Sequence, residues 1–287
     1  MKYKDKILGF YELIRADKPI GSLLLLWPTL SAFIVLTEGK PDLFLLALFV
    51  LGTLLMRSAG CIVNDISDKK FDMKVFRTKK RPIASGKISI KLAIFYALIL
   101  CFMAFLVLIN FNILTIILAI VSMPLAFTYP LMKRITYWPQ LFLGITFNYG
   151  LILGWTSINH EIEIIPILFY FGAIFWTLGY DTIYGFQDIK DDEIIGVKST
   201  SIKFKKNPNL FLILCYLIFF TILLSIGILM NFKFLFYFFI LIPFFHLFFY
   251  QIYQFKKNTP SVCLKIFKSN NLLGLLIYIN LLSGKLY

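Results

Sequence analysis

The chain has 287 residues, of which 59% are apolar and only 15% are charged, whereas a typical soluble domain carries about 25% charged residues. With a mean hydropathy of +0.82, this composition excludes a monomeric water-soluble globule and predicts a helical bundle in a lipid bilayer. The net charge of +14 does not indicate a nucleic-acid partner, because the basic residues lie in short loops between apolar runs.

The N-terminal segment, MKYKDKILGFYELIRADKPIG, is amphipathic and lacks a signal-peptide cleavage pattern, so we expect it in the mature protein. Nine apolar runs follow, each near the roughly 20 residues that a spanning helix needs. They lie at residues 20–37, 43–63, 90–109, 111–128, 138–158, 164–182, 209–230, 234–253 and 270–286. The sequence therefore predicts an all-α integral membrane protein with nine transmembrane helices in one domain, residues 1–287.

The basic residues are distributed unevenly between the two sides of this predicted bundle. Twenty-four Lys and Arg residues lie in the N-terminal segment and in every second loop, whereas the other side has only Lys40, Lys233 and Lys285. Because cytoplasmic loops collect Lys and Arg, we expect the N-terminus in the cytoplasm and the C-terminus outside. An even number of spans would break this alternation, so the charges support nine spans independently of hydropathy.

The second apolar run leads directly into the acidic segment NDISDKKFD, residues 64–72. On a helix that continues this run, Asp65, Asp68 and Asp72 lie at i, i+3 and i+7 and share one face, and Asn64 is one turn from Asp68. This predicts a row of carboxylates at one mouth of the bundle.

A second acidic segment, DTIYGFQDIKDD, follows the sixth run at residues 181–192. Asp181, Tyr184 and Asp188 again lie at i, i+3 and i+7, and Asp191 and Asp192 extend the predicted stripe by one turn. Four spans separate the two acidic segments, so both are expected on the same side of the membrane.

Carboxylates at such spacing repel one another unless a cation lies between them. Solvated lysines are one explanation and a bound metal ion is the other, which two matched clusters favour. Oxygen ligands without His or Cys suit Mg²⁺, whose remaining positions are usually taken by water and phosphate oxygens. The same rows would also fit the cation path of a secondary transporter. Transporter sites, however, usually lie near the membrane midplane, at broken helices.

Basic residues flank the acidic clusters. Arg77 and Arg81 are one helical turn apart, Lys133 follows the fourth run, and Arg15 and Lys18 precede the first. Singly, each is explained by the positive-inside rule. As a set beside metal-type clusters, they are typical of a phosphate clamp. The sequence thus predicts a substrate with a phosphorylated head and a long apolar tail.

Arg57 lies inside the second run, two turns before Asn64 on the same face and about 10 Å deeper. A charge within a span costs at least about 2.5–3.5 kcal/mol, which points to a function. The alternative is that its side chain reaches the interface by snorkelling. We interpret Arg57 as the partner of a carboxylate on a second, smaller substrate.

Four motifs together resemble the UbiA-type membrane prenyltransferases. They are RSAGCIVNDISDKKFD at residues 57–72, RTKKRPIASG at 77–86, DTIYGFQDIKDDEIIGVKSTSI at 181–202 and ADKPIGSLLLLWPTL at 16–30. The last of these is most similar to family members that act on 4-hydroxybenzoate. The resemblance covers residues 11–203, and the last three runs match only in hydropathy.

The resemblance implies a nine-helix bundle around a central cavity, capped by cytoplasmic loops at residues 64–89 and 183–208. It implies Mg²⁺-dependent transfer of a polyprenyl chain from polyprenyl diphosphate to the ring of 4-hydroxybenzoate, ortho to the phenol, in ubiquinone biosynthesis. Naphthoate or haem acceptors are the alternatives within the family. A bacterial inner-membrane location, a cytoplasm-facing active site and no obligate protein partner are also expected.

The resemblance also implies roles for individual residues. Metal ligands are expected among Asn64, Asp65, Asp68, Asp72, Asp181, Asp188 and Asp192. Substrate contacts are expected from Lys18, Arg77, Arg81, Lys133 and Tyr184 to the diphosphate and from Arg57 to the aromatic acid. Catalytic roles fall to Asn64, Asp68, Tyr129, Asp188 and Asp191. Among these, Tyr129 and Asn64 are expected to stabilise an allylic cation, and Asp188 or Asp191 to take the ring proton.

Overall fold

The regular structure of the chain is helical. The computed structural model describes residues 3–37, 40–256 and 259–285, with side chains from residue 7 onward, and no β-strand occurs in these ranges. The helices are α1 (Tyr3–Leu13), α2 (Ile20–Leu36), α3 (Leu43–Asp72), α4 (Ile90–Leu108), α5 (Ile113–Ile135), α6 (Pro139–Asn159), α7 (Ile164–Gly185), α8 (Ile189–Ile195), α9 (Thr200–Lys203), α10 (Pro208–Leu229), α11 (Phe234–Phe255) and α12 (Pro260–Lys285). The all-α prediction is confirmed.

Nine of the described helices coincide with the nine predicted spans. Eight of them are long and apolar enough to cross a membrane, and α2 is apolar but has only 17 residues. Large apolar side chains cover their outer faces; on α4, Leu98 is 64% and Phe102 is 62% exposed. Continuous exposed apolar surface of this kind requires lipid. The chain is an integral, multi-pass membrane protein.

Two apolar cores hold the bundle together. The larger joins α2, α6, α7, α10, α11 and α12 around buried side chains that include Trp155 and Phe219. The smaller joins the end of α1 to α3 and α4 around Leu55 and Ile62. After the first acidic segment, residues 73–89 form successive turns that join α3 to α4. After the second, the short helices α8 and α9 lie between α7 and α10. The fold thus brings the ends of α3 and α7 to one region.

Three boundaries differ from the sequence prediction. Helix α5 continues to Ile135, past its predicted end at residue 128. Helix α7 ends at Gly185, so residues 188–192 do not extend its stripe. The backbone leaves helical geometry at Asp188, with φ −112° and ψ 10°, and Gly185 packs so closely against α9 that a Cβ atom there would collide with Ser201 Oγ. Helix α12 begins at Pro260, ten residues before the predicted start, because proline is well accommodated in the first turn of a helix. The predicted end of that span, residue 286, lies outside the described residues.

Candidate active site

A cavity of about 1170 Å³ lies where α3 and α7 end. Its wall contains Asn64, Asp65, Asp68 and Asp72 from the first acidic segment and Asp181, Tyr184, Asp188 and Asp192 from the second. It also contains Lys18, Arg57, Arg77, Arg81, Tyr129 and Lys133. Of the residues predicted to form the site, only Asp191 is missing from this wall. Two segments more than a hundred residues apart in sequence therefore share one cavity.

The aspartates of α3 are buried, and two of them, Asp65 and Asp72, are bound by arginines. Asp65, Asp68 and Asp72 are at most 5% exposed. Both carboxylate oxygens of Asp65 accept from Arg15 Nη2, at 2.6 and 2.8 Å, and Arg81 Nη1 donates to Asp65 at 3.2 Å and to Asp72 at 2.9 Å. Because two arginine side chains bind Asp65, this residue connects α3 to the segments that carry Arg15 and Arg81. Its predicted metal-ligand role stays a prediction.

Arg15 has an unusual backbone conformation where it meets Asp65. Its φ is 61°, in the left-handed region, and its Nη1 donates to the carbonyl oxygen of Glu12 at 3.0 Å. Residues other than glycine adopt this conformation only where surrounding contacts enforce it. The Arg15–Asp65 contact thus fastens the turn between α1 and α2 to α3. The sequence placed Arg15 in the phosphate clamp; in the structure it lines the cavity and binds Asp65 there, and its role in the clamp stays a prediction.

We predict that Asp65→Asn lowers the free energy of unfolding by about 3 kcal/mol, because removing one partner of a buried ion pair leaves a charge unpaired. The thermal midpoint of the detergent-solubilised protein measures this loss. Asp17→Asn is the matched control: Asp17 pairs with Lys18 at 3.5 Å, the Lys18 side chain is 75% exposed, and such pairs contribute about 0–1 kcal/mol. An Asp65→Asn variant as stable as this control would refute the anchoring role.

Asp68 is the carboxylate with an open oxygen. Its Oδ2 pairs with Lys133, whereas its Oδ1 is buried and has no hydrogen-bond partner in the described part of the chain. A buried carboxylate oxygen without a partner is destabilising. Since Asp68 lines the cavity, a ligand in the cavity would satisfy this oxygen. Lys133 is itself held in place, because its carbonyl oxygen accepts from the backbone N–H of Lys198 at 2.9 Å.

Arg77 joins the segment 73–89 to the end of α7. Its Nε and Nη2 donate to Asp188 at 2.5–3.0 Å, and its Nη1 donates to the Tyr184 hydroxyl at 3.0 Å. Burial disfavours the guanidinium charge, but the Asp188 contact outweighs it, so the pKa of Arg77 is raised. This bidentate contact closes the segment 73–89 over the cavity.

Asp191, predicted as a candidate proton acceptor, lies elsewhere. Its Oδ2 accepts from the backbone N–H of Phe76 at 3.4 Å, and it is not part of the cavity wall. The predicted continuous helical stripe would have carried Asp191 inward, but α7 ends at Gly185 and the separate helix α8 begins after Asp188. Asp191 therefore contacts the covering segment.

Asp181 and Asp192 line the cavity and, within residues 7–37, 40–256 and 259–285, form no ion pair. Burial raises the pKa of Asp192 to about 6, and the negative charge of Asp188 adds to the effect. A bound cation would counter both causes and favour the charged carboxylate. These two side chains are thus open to a ligand.

These residues fit a magnesium ion that is shared with a phosphate. Among the described residues, no three His, Cys, Asp or Glu side chains converge closely enough to hold a metal alone. The open oxygens, on Asp68, Asp181 and Asp192, belong to one cavity wall. Mg²⁺ usually binds through one or two carboxylates, with substrate phosphates and water completing its octahedron. The donor set therefore suits a metal that arrives with a diphosphate.

An apolar cavity of about 290 Å³ extends from this region between α3, α4, α5 and α6. Three residues, Arg57, Tyr129 and Phe147, line both cavities. The Arg57 Cζ atom lies 5.4 Å from the centre of the Phe147 ring. Polar and apolar spaces therefore meet at these side chains, as a ligand with a charged head and an apolar tail requires.

Sequence reasoning missed several residues of the polar cavity. Lys268 and Asn271 on α12 and Lys198 before α9 line it. Lys268 was missed because the helix was predicted to start at residue 270, which left Lys268 in a loop and gave Asn271 no polar neighbour on the same helix face. Extending it back to Pro260 places Leu264, Lys268 and Asn271 at i, i+4 and i+7, on one face.

Residues 25–276 match the UbiA prenyltransferase family. The chain is 40% identical over 278 residues to the 4-hydroxybenzoate octaprenyltransferase of Vibrio parahaemolyticus, covering 97% of this chain and 98% of that relative. In fold it is similar to a UbiA homolog from Aeropyrum pernix, with a TM-score of 0.76, 20% identity and coverage of 92% and 96%. It is also similar to a UbiA homolog from Archaeoglobus fulgidus bound to GPP and Mg²⁺, with a TM-score of 0.69, 17% identity and coverage of 96% and 99%. The chain belongs to the UbiA prenyltransferase family.

Proposed function

We propose that the protein transfers a polyprenyl chain from polyprenyl diphosphate to the ring of 4-hydroxybenzoate, ortho to the phenol, and releases diphosphate, as a step of ubiquinone biosynthesis. The observation that carries this proposal is the shared cavity, in which both acidic clusters and the basic residues adjoin an apolar extension. The named Vibrio relative supports the choice of acceptor.

Magnesium is the proposed cofactor. Asp68, Asp181 and Asp192 offer it their open oxygens, and Asn64 and Asp72 lie in the same wall. When bound, the ion would neutralise charge that develops on the departing diphosphate. The Archaeoglobus homolog with GPP and Mg²⁺ supports this assignment by analogy.

The basic residues would change partners when substrate binds. Arg77, Arg81 and Lys133 pair with carboxylates of the cavity wall. A diphosphate that arrives with cations would supply a new partner for each residue of these pairs. Its oxygens would bind the guanidinium and ammonium groups, and its cations would bind the carboxylates. Lys18 and Tyr184 line the same space and would complete the contacts to the phosphates.

The reacting carbon would lie where the two cavities meet. Tyr129 follows Thr128 in a 3₁₀ turn that continues α5, and its side chain lines both spaces. Its hydroxyl oxygen and ring electrons would stabilise positive charge on the allylic carbon as the C–O bond to diphosphate breaks. Asn64 lies in the polar wall and offers a second oxygen.

Asp188 is the better placed of the two predicted proton acceptors. It lines the cavity, whereas Asp191 contacts the backbone of Phe76. In the structure the Arg77–Asp188 contact holds the segment 73–89 over the site, and Arg77 would keep the segment there by binding the diphosphate once substrate arrives. Excluding water there protects an allylic cation from capture before the aromatic ring attacks.

The excess of basic residues on the side of this site supports an orientation toward the cytoplasm, in the bacterial inner membrane. The secondary-transporter alternative loses support, because the carboxylates lie at the ends of α3 and α7 beside basic residues. Naphthoate and haem remain the rival acceptors, and an acceptor screen separates them from 4-hydroxybenzoate.

The deciding assay uses purified protein in lipid nanodiscs with polyprenyl diphosphate, MgCl₂ and each candidate acceptor. We expect diphosphate release coupled to prenylation of 4-hydroxybenzoate. Chelating Mg²⁺ with EDTA should lower the rate by about 10²-fold or more, because the diphosphate charge is then uncompensated. Restoring Mg²⁺ should recover activity. Product with naphthoate or haem alone would reassign the acceptor, and no diphosphate release with any acceptor would refute the proposed activity.

A further inference from the structure

Gly21 lies in the first turn of α2, directly beside the Arg57 side chain of α3. A Cβ atom on Gly21 would lie 2.5 Å from Arg57 Nη2, 3.1 Å from Nε and 3.2 Å from Cζ. All three distances are shorter than ordinary van der Waals contact, and Cζ is the farthest of the three atoms. The added atom would therefore collide with the Nε–Nη2 edge of the guanidinium. In the native chain this edge packs against the Cα atom of Gly21, which carries no side chain.

Few other contacts fix the Arg57 guanidinium. Within the described residues it forms no ion pair. The Phe147 ring lies 5.4 Å from Cζ. Gly21 on one edge and the Phe147 ring nearby therefore limit where the charge can lie at the junction of the two cavities.

We propose that Gly21 is a positioning residue that sets the location of the Arg57 guanidinium and thereby the recognition of the acceptor's carboxylate. The inference rests on the proposed function, in which Arg57 binds that carboxylate. A Cβ atom on residue 21 would lie 2.5 Å from Arg57 Nη2, so the guanidinium would have to move by about 1 Å to restore an ordinary van der Waals distance. A misplacement of about 1 Å in a positioning group lowers rates by up to about 10²-fold.

The backbone at residue 21 does not itself require glycine. Positive φ values occur among the described glycines only at Gly86 and Gly196, so alanine is compatible with the conformation of Gly21. In a helix alanine is favoured over glycine by about 1 kcal/mol. The atom that must move is the end of a flexible side chain. Gly21→Ala is therefore expected to fold normally while displacing the Arg57 charge.

The test measures kinetic constants for each substrate separately in wild type and Gly21→Ala. We expect the KM for 4-hydroxybenzoate to rise by about 30- to 100-fold and the KM for polyprenyl diphosphate to stay within about two-fold, with a thermal midpoint no lower than that of wild type. Gly9→Ala is the matched control. Gly9 lies on α1 and lines neither cavity, and a Cβ atom there would lie 3.2 Å from the end of the Ile88 side chain, so the KM for 4-hydroxybenzoate should not rise.

Two further measurements test whether the effect of Gly21→Ala depends on the contact between the acceptor's carboxylate and Arg57. The preference for 4-hydroxybenzoate over the uncharged 4-hydroxybenzaldehyde should fall by about ten-fold or more in Gly21→Ala, because only the acid uses the guanidinium. In an Arg57→Lys background, Gly21→Ala should change the acceptor KM by less than about three-fold, since the group it displaces is absent.

Each outcome bears on the inference. Unchanged acceptor constants in folded Gly21→Ala, equal losses for both substrates, or full additivity with Arg57→Lys would overturn the role of Gly21 and leave the wild-type activity in place. Absence of 4-hydroxybenzoate turnover in the wild type would refute the proposed function itself, so the two failures are distinguishable.

Discussion

Asp68→Ala and Asp188→Ala are each expected to abolish turnover, with kcat lowered by about 10³-fold or more. Asp68 carries the buried, unpartnered oxygen, and Asp188 orders Arg77 over the cavity. Loss of either removes a group aimed at the metal–diphosphate, where charge develops during bond cleavage. Single-turnover rates with saturating substrates, measured over a series of Mg²⁺ concentrations, test this.

The controls separate chemistry from folding. Glu193→Gln removes a carboxylate of α8 that pairs with Lys205 at the surface, and it should retain activity. The amounts of Asp68→Ala and Asp188→Ala in the membrane fraction should equal that of wild type, because both residues lie at the cavity rather than in the apolar cores. Near-normal activity in either variant would contradict the metal assignment at that cluster.

Arg57→Ala is expected to weaken the use of the aromatic acid far more than that of the prenyl donor. The guanidinium is a charged group without an ion-pair partner in the described chain, and a bidentate contact to a carboxylate is among the stronger polar interactions in proteins. We expect the KM for 4-hydroxybenzoate to rise by about 10²-fold or more, with the donor KM within about three-fold. Direct binding of radiolabelled 4-hydroxybenzoate measures the same loss without turnover.

Arg57→Lys provides the graded control. A lysine keeps the charge but lacks the planar fork, so an intermediate loss is expected. Equal losses for acid and donor in Arg57→Ala would remove the proposed role, because a residue of the phosphate site or of the general packing would produce that pattern.

Helical periodicity was sufficient to predict the arrangement of the first acidic cluster. Arg57, Asn64, Asp68 and Asp72 lie on one unbroken helix, and a repeat of 3.6 residues correctly predicts which of them share a face. The apolar runs and the alternation of basic loops likewise predicted the helical bundle, because lipid admits few other solutions.

The second cluster shows where local pattern fails. Its spacing would suit a continuing helix, but α7 ends at Gly185, where the chain packs closely against Ser201 of α9. As a result, Asp191 turns to Phe76 while Asp192 stays in the cavity. No periodicity within residues 181–192 carries that information.

Ion pairs between residues far apart in the chain could not be predicted from local sequence pattern either. The sequence predicts a set of basic residues near phosphate, but not that Arg15 binds Asp65 or that Arg77 reaches Asp188, 111 residues away. Such pairs depend on the path of the backbone between the elements. The close approach of Gly21 to Arg57 is invisible for the same reason, because it joins the first turn of one helix to the middle of another.

The unbroken helix α3 has a consequence for how the two reactants are spaced. It carries both Arg57 and Asp68, eleven residues and roughly 16 Å apart along its axis. In the proposed function Arg57 binds the acceptor and Asp68 lies at the leaving group, so the length of this helical stretch would set the distance between the two reactants. A single residue inserted between Arg57 and Asp68 would turn one side chain by about 100° away from the other, so α3 tolerates exchange of side chains at this stretch but not a change in its length.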